Sequence, residues 1–381
     1  MSAGVSAIAD QVVAARARGS ALRLVSGATW LDAGRACTAA DRLELSALTG
    51  IISYEPGDLT LTVGAATSLA DIARVTAAEG QWLTLDPGGA PGGSIGATIA
   101  TASAGPLASA FGTPRDHVLG CEFVSGTGDV VRAGGRVVKN VAGFDLVRLV
   151  TGAWGTLGAL TEVTVRLRAR PEEDVTLAVR VDASNAAGAG ERAWRWTRES
   201  EFRPLAVELV SPSLAGRLTG SEEARLLVRL GGNASFVRAA RSAVAALGDS
   251  ELVASSVWDA LAVSESASGV AFRASALPSR IGVLCADVTG LAERLGGHAH
   301  ATLTRGVVRC VVPAPADDHA LERLLADISR LGDDVTIVGE RMPPSFWHRL
   351  ALPASTAALA LGVRRAFDPD HIMNPGILGG T

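Results

Sequence analysis

From Pro87 to Pro114 the chain carries no charged residue, yet the run holds seven Gly and four Pro. This combination constrains the fold more than any other feature. An uncharged stretch of this length is long enough to cross a bilayer, but Gly and Pro at this density break a spanning helix. Buried glycine-rich loop and turn structure is therefore expected, with no transmembrane segment. Residues this small also fill a core poorly by themselves. Pro91, Gly92, Gly93, Ser94, Gly96, Ala97, Thr98, Thr101 and Ser103 suit a wall packed against a large flat ligand, with backbone and hydroxyl groups bonding to it. The alternative is a close-packed helix in a small-residue core.

The 381 residues exceed one ordinary core, and 48% apolar with 19% charged residues describes a well-buried globular chain. A formal charge of −4 argues against nucleic acid and against docking to an anionic membrane. Cys37, Cys121, Cys285 and Cys310 are far apart with no CxxC spacing. They read as free thiols in a reducing compartment, and they supply no iron–sulfur motif. The N-terminus lacks a signal peptide's basic start and apolar core. A cytoplasmic location is expected.

Helical spacing covers Val5 to Arg18, and Leu22–Val25 reads as a strand. Strands follow at Gly50–Tyr54 and Leu59–Val63 around a Pro56-Gly57-Asp58 turn, then a helix capped by Ser68. Val118–Val124 and Val130–Arg132 form a hairpin, a short helix covers Asp145–Val150, and Leu160–Leu167 is a strand. Composition shifts after Arg170-Pro171, where strand–helix alternation begins. Residues 172–338 then read as an α+β domain, an antiparallel sheet with helices on one face. Residues 339–381 form a last segment with a helix at Ala357–Ala366 and a polar turn at Phe367–Gly376.

No GxxxxGK[ST] loop occurs, and no GxGxxG lies between a strand and a helix, so P-loop and Rossmann folds are disfavoured. Small residues at Ser26, Gly27, Ala28 and Thr29 let successive N–H groups converge on a pyrophosphate; an ordinary turn is the bland alternative. Lys139 and Asn140 are polar groups beside glycines, just ahead of a helix. The Gly152, Gly155 and Gly158 spacing before a strand is hard to explain by packing alone.

Together these segments resemble, in order and spacing, the PCMH-type FAD-binding domain. That domain is shared by vanillyl-alcohol oxidase relatives, D-lactate dehydrogenases and bacterial glycolate oxidase. The stretch GRVVKNVAGFDL from Gly135 is similar to the FAD-binding subunit of glycolate oxidase, as are RASALPSR from Arg273 and the closing FDPDHIMNPG from Phe367. The resemblance implies an α+β fold: a two-part FAD-binding domain over residues 1–171, a cap domain over 172–338, and a C-terminal segment returning to the flavin over 339–381. It implies that Ser26 to Thr29 hold the FAD pyrophosphate and that Gly92 to Ser103 wall the flavin and ribityl chain. Gly155, Thr156, Gly158, Ala159 and Leu160 would touch the adenine half, and Asn374 would lie near the isoalloxazine. With no histidine in the first loop and no cysteine in the second segment, non-covalent FAD is expected. The first loop is poorer in glycine than the family's usual run, and Trp30 sits within it.

Oxidising a 2-hydroxy acid needs a base, a cation for the carboxylate and a nearby flavin. His298 and His300 share a face if they lie in a strand, but two ligands are too few for a metal site. His117, His348, His371, Arg273 and Arg280 offer no convincing acid–base pair, so no catalytic residue is assigned. The resemblance supplies a reason: it implies a complex with a catalytic flavoprotein subunit and an iron–sulfur subunit, acting on a small 2-hydroxy acid and peripheral to the inner membrane only through partners. A self-sufficient dehydrogenase and a non-catalytic scaffold stay open as alternatives.

Overall fold

The structure is a computed structural model that describes residues 2–89, 92–135, 145–181, 186–264, 269–347 and 358–379. The chain divides into two compact units. One comprises Met1–Ala104, Gly112–Arg170 and Pro353–Thr381; the other comprises Gly105–Phe111 and Pro171–Leu352.

The first unit opens with helix α1 (Ala3–Ala17), N-capped by Ser2. Strands β1 (Leu22–Val25) and β2 (Asp41–Glu44) pair in parallel, and no element is expected from the sequence at β2. Next come β3 (Ile51–Glu55), β4 (Thr60–Gly64), helix α2 (Leu69–Ala77) on its Ser68 cap, and β5 (Gln81–Trp82). The uncharged run departs from the expectation of loop alone: Ser94 caps a helix, α3 (Ile95–Thr101). The cap explains why small residues coil there, because Ser94 Oγ accepts the otherwise orphaned Ala97 N–H at 3.3 Å. The short α4 (Ala108–Phe111) is assigned to the second unit.

After α5 (Pro114–His117) come β6 (Val118–Ser125) and β7 (Val130–Gly134), then α6 (Leu146–Val150) capped by Asp145. Strands β8 (Gly158–Arg166) and β9 (Arg168–Ala169) finish this part. The sheet order is β3-β4-β8-β6-β7, every pairing antiparallel. Period-two alternation sorts its side chains between two cores. Leu61, Val63, Cys121, Phe123, Val163 and Val165 pack with Ile72, Ile95 and Ile99 of α2 and α3. Val124 and Ala159 point the other way, onto Val5, Ile8 and Val12 of α1.

His117 shows how the unit tolerates a buried imidazole. It is 3% exposed. Its Nδ1 lies 3.0 Å from the Thr113 carbonyl, which can only accept, so Nδ1 carries the proton and Nε2 accepts the Thr84 hydroxyl at 2.7 Å. Burial is the main cause that holds its pKa below the ordinary 6.5, against the raising effect of the Thr113 bond. The folded state therefore binds this proton less tightly than the unfolded chain. Stability from His117 is complete above about pH 6.5 and is lost as pH falls towards the lowered folded value. Urea unfolding at pH 7.5 and 5.5 should show this loss, with a slope below about 1.4 kcal/mol per pH unit, and His117→Gln should lack it. A variant with the wild-type slope would refute the assignment.

The second unit is built on strands β10 (Glu173–Arg180), β11 (Ala206–Val210), β12 (Arg225–Gly232), β13 (Ser250–Val253), β14 (Val270–Ser275), β15 (His298–Thr302), β16 (Val307–Val312) and β17 (Thr336–Arg341). They form one antiparallel sheet in the order β13-β10-β12-β11-β15-β16-β14-β17. Helices α7 (Ala186–Glu199), α8 (Pro212–Thr219), α9 (Ala234–Val244), α10 (Val257–Ser264), α11 (Ile281–Arg294) and α12 (Asp318–Ser329) accompany it. Residues of α7, α9, α11 and α12 bury one face with Leu177, Val179, Val228 and Phe272. Helices are not confined to that face. Leu214 of α8 and Trp258 of α10 pack on Ala178, Ala206 and Leu227, whose side chains alternate to the other side. Helix α11 runs unbroken from Ile281 to Arg294. The last helices are α13 (Pro344–Trp347) and α14 (Ala358–Phe367). No described helix is long and apolar enough to cross a membrane.

Candidate cofactor site

The first unit contains an open cleft with about 840 Å³ of empty space, its mouth included. One wall is β1 with the loop after it, from Arg23 to Leu31. Ala28 in that loop has φ 57°, a left-handed conformation that side chains rarely adopt and that suits a nest of backbone N–H groups. A second wall is α3, through Ser94, Gly96, Ala97, Ala100 and Thr101. The third is the turn before β8, through Trp154, Gly155, Gly158 and Leu160, with Asn374 and Ile377 from the C-terminal segment.

The structure thus brings Ser26, Gly27, Ala28, Thr29, Ser94, Gly96, Ala97, Thr101, Gly155, Gly158, Leu160 and Asn374 to one cleft. It does not bring Gly92, Gly93, Thr98, Ser103, Thr156 or Ala159 to its wall. The reasons are local. Thr98 is buried and donates its hydroxyl to the Ser94 carbonyl at 3.0 Å. Thr156 likewise donates to the Ala153 carbonyl at 2.7 Å. Ala159 alternates away from Gly158 and Leu160 into the α1 core. Gly92 still shapes the site, since a Cβ on Gly27 would sit 3.3 Å from its carbonyl. Pro91, Lys139, Asn140 and His348 lie outside the described residues.

The glycine spacing has a packing explanation after all. Gly152, Gly155 and Gly158 have φ of 82°, 71° and 154°. A Cβ on Gly158 would lie 2.4 Å from the Val124 carbonyl. Asn374 also builds the site. Its amide accepts the Leu24 N–H at 2.9 Å and donates to the Trp154 carbonyl at 2.8 Å, clipping β1 to the turn before β8. Asp368 of the same closing motif is fully buried and accepts from the Ile372 and Met373 N–H groups at 3.0 and 2.9 Å. Burial raises its pKa against those bonds.

The sequence reading missed Arg23 and the polar edge of Trp30. Arg23 Nη1, Ser26 Oγ and Trp30 Nε1 are all buried without a hydrogen-bond partner, and all three residues line the cleft. Arg23 is the only ionisable side chain among the described lining residues. A cavity with a cation and neutral donors on one wall, and small apolar residues such as Ala65, Gly96 and Ala100 elsewhere, fits a ligand that is anionic in one part and flat and apolar in another. FAD is such a ligand. Outside this cleft, the second unit holds a buried acid–base pair that sequence alone did not show: Glu208 and His300 meet at 2.9 Å with side chains 0% and 1% exposed. Arg309 faces His300 across the β15–β16 pair.

Comparison with known proteins agrees with the cleft. A family model described as an FAD binding domain matches residues 3–134. Glycolate oxidase subunit GlcE of Escherichia coli (strain K12) is 38% identical over 129 residues, 34% of this chain and 37% of that protein. D-lactate dehydrogenase (cytochrome), mitochondrial, of Arabidopsis thaliana is 47% identical over 96 residues, 25% of this chain and 17% of that protein. The matched parts span little more than a third of these curated relatives at most. The solved 4-ethylphenol oxidase from Gulosibacter chungangensis shares the fold, with a TM-score of 0.72 at 15% identity over 98% of this chain and 87% of that one. FAD is the cofactor that the matched family model names. Residues 3–134 therefore carry an FAD binding domain, and the chain as a whole has the fold of the solved 4-ethylphenol oxidase.

Proposed function

We propose that this chain is the FAD-binding subunit of a glycolate oxidase-type complex, which oxidises a small 2-hydroxy acid together with a catalytic flavoprotein subunit and an iron–sulfur subunit. The likeness to the glycolate oxidase subunit supports the reading. The carrying observation is the chemistry of the cleft: its described lining holds Arg23 and neutral groups, and no side chain there serves as a proton acceptor for a hydroxy acid. Bound FAD supplies a two-electron acceptor. The chain's own residues hold it: the Ser26–Thr29 loop, the Ser94-capped helix and the turn at Gly155 build the cleft, and no histidine or cysteine is among its described lining residues.

A second reading, a self-sufficient 2-hydroxy-acid dehydrogenase, is favoured by the Glu208–His300 pair with Arg309 beside it. The pair offers a base, while Arg309 already faces the Glu340 carboxylate at 3.6 Å, so a substrate carboxylate would have to compete for it. One experiment separates the two. The purified chain should be yellow, release its flavin on acid precipitation, and bleach slowly or not at all with glycolate or D-lactate under anaerobic conditions. Adding a homologous flavoprotein and iron–sulfur partner should restore dye reduction. Fast bleaching without partners would overturn the subunit reading, and Glu208→Gln should then abolish it.

A further inference from the structure

We propose that Arg23 supplies the counter-charge for the diphosphate of FAD, with Ser26 Oγ and Trp30 Nε1 as neutral donors beside it. The inference rests on the cleft being the FAD site and adds a role for a strand residue outside the glycine-poor loop. Arg23 lies in β1, ahead of that loop, and lines the cleft. Its Nη2 donates to the Leu31 carbonyl at 3.1 Å, which fixes the guanidinium under the far end of the loop. Its Nη1 is buried and makes no hydrogen bond. No salt bridge involving Arg23 occurs among the described residues.

Three buried groups with unused donor capacity within eight residues, and no carboxylate on the described wall, make a surplus of one positive charge and of N–H and O–H donors. Leaving such groups unpaired in a folded protein is unfavourable, so their partner is an acceptor-rich anion. A diphosphate is that anion: it only accepts, and it carries charge that a planar guanidinium bonds well. Ala28 at φ 57° turns the intervening backbone so that loop N–H groups can join the same cluster. In a loop this poor in glycine, Arg23 offsets what the backbone alone does not provide.

The competing role for Arg23 is to brace the loop through Leu31 and nothing more. The two differ in charge dependence. FAD and riboflavin affinities of the flavin-stripped full-length chain are measured by fluorescence at low and at high salt, for wild type, Arg23→Met and Arg23→Lys. Arg23→Met should weaken FAD about thirtyfold at low salt, flatten the salt dependence, and leave riboflavin, which has no phosphate, within about threefold. Arg23→Lys should recover most of the FAD affinity. Equal weakening of FAD and riboflavin with an unchanged salt slope would assign Arg23 to bracing, and an unchanged FAD affinity would remove it from the site. If wild type binds neither flavin, the cleft reading itself fails, which is a separate outcome.

Discussion

Gly158→Ala is expected to cost the FAD-binding unit on the order of 4 kcal/mol or more, enough to leave little soluble protein. Gly158 opens β8 opposite Ser125 of β6, at φ 154°. An added Cβ would stand 2.4 Å from the Val124 carbonyl and 2.8 Å from the Phe123 ring. The first of these is backbone in the middle of the sheet and cannot move cheaply, so the β6–β8 pairing must open. Gly158→Asp should do the same, because the clash lies at Cβ and precedes any effect of charge. Thermal and urea unfolding of both variants test this. If Gly158→Ala folds with the wild-type midpoint while Gly158→Asp alone loses flavin, the glycine serves the cofactor and the packing account is wrong.

That residue also shows what could and could not be read from sequence. The Gly152, Gly155 and Gly158 series signalled a special backbone, correctly located at the entry to β8. Whether the cause was a ligand or a neighbouring strand depended on the pairing of residues 33 positions apart, Ser125 and Gly158, which no local pattern encodes. Amphipathic and alternating elements were legible because burial imposes the 3.6 and 2 periods directly: α1, α2, β4, β6 and β8 all lie close to their expected ranges. Three strands of the second unit, β13, β15 and β17, were not. The His298–Thr302 strand alternates His with Ala and Thr, and all five of its residues are buried, so neither face looks polar or apolar enough to mark it.

The helix inside the uncharged run was legible only as the alternative to a ligand wall. Its seven residues include Gly96, its face towards the cleft is made of Gly, Ala and Thr, and its apolar stripe is only Ile95 and Ile99, one turn long and too short to set a period. Only Ser94 as a cap betrayed it. In the cleft, the small residues were legible because a ligand wall needs them. Arg23 was not, since within Leu22–Val25 it reads as an ordinary outward-facing strand residue. Its importance comes from a partner it lacks, and a missing partner is visible only in three dimensions. Asn374 was placed beside the cleft, but its bonds to Leu24 and Trp154 join segments 350 and 220 residues away in sequence.

Ala97→Glu should separate cofactor binding from folding in the opposite sense to Gly158. Ala97 is exposed, lines the cleft, and occupies the third position of α3 after its Ser94 cap. Glutamate there completes a Ser-x-x-Glu capping box, so α3 and the unfolding midpoint should hold or rise slightly. The same side chain places bulk and a negative charge on the cleft wall. At about 7 Å from a phosphate and an effective dielectric near 20, one such pair costs roughly 2 kcal/mol. With the added bulk, FAD affinity should fall on the order of a hundredfold. Ala97→Gln forms the same box without the charge, so the gap between the two variants reports the anion in the site. Equal FAD affinity for the Glu and Gln variants would place the diphosphate far from α3, and wild-type affinity for both would show that the cofactor does not lie against this helix at all.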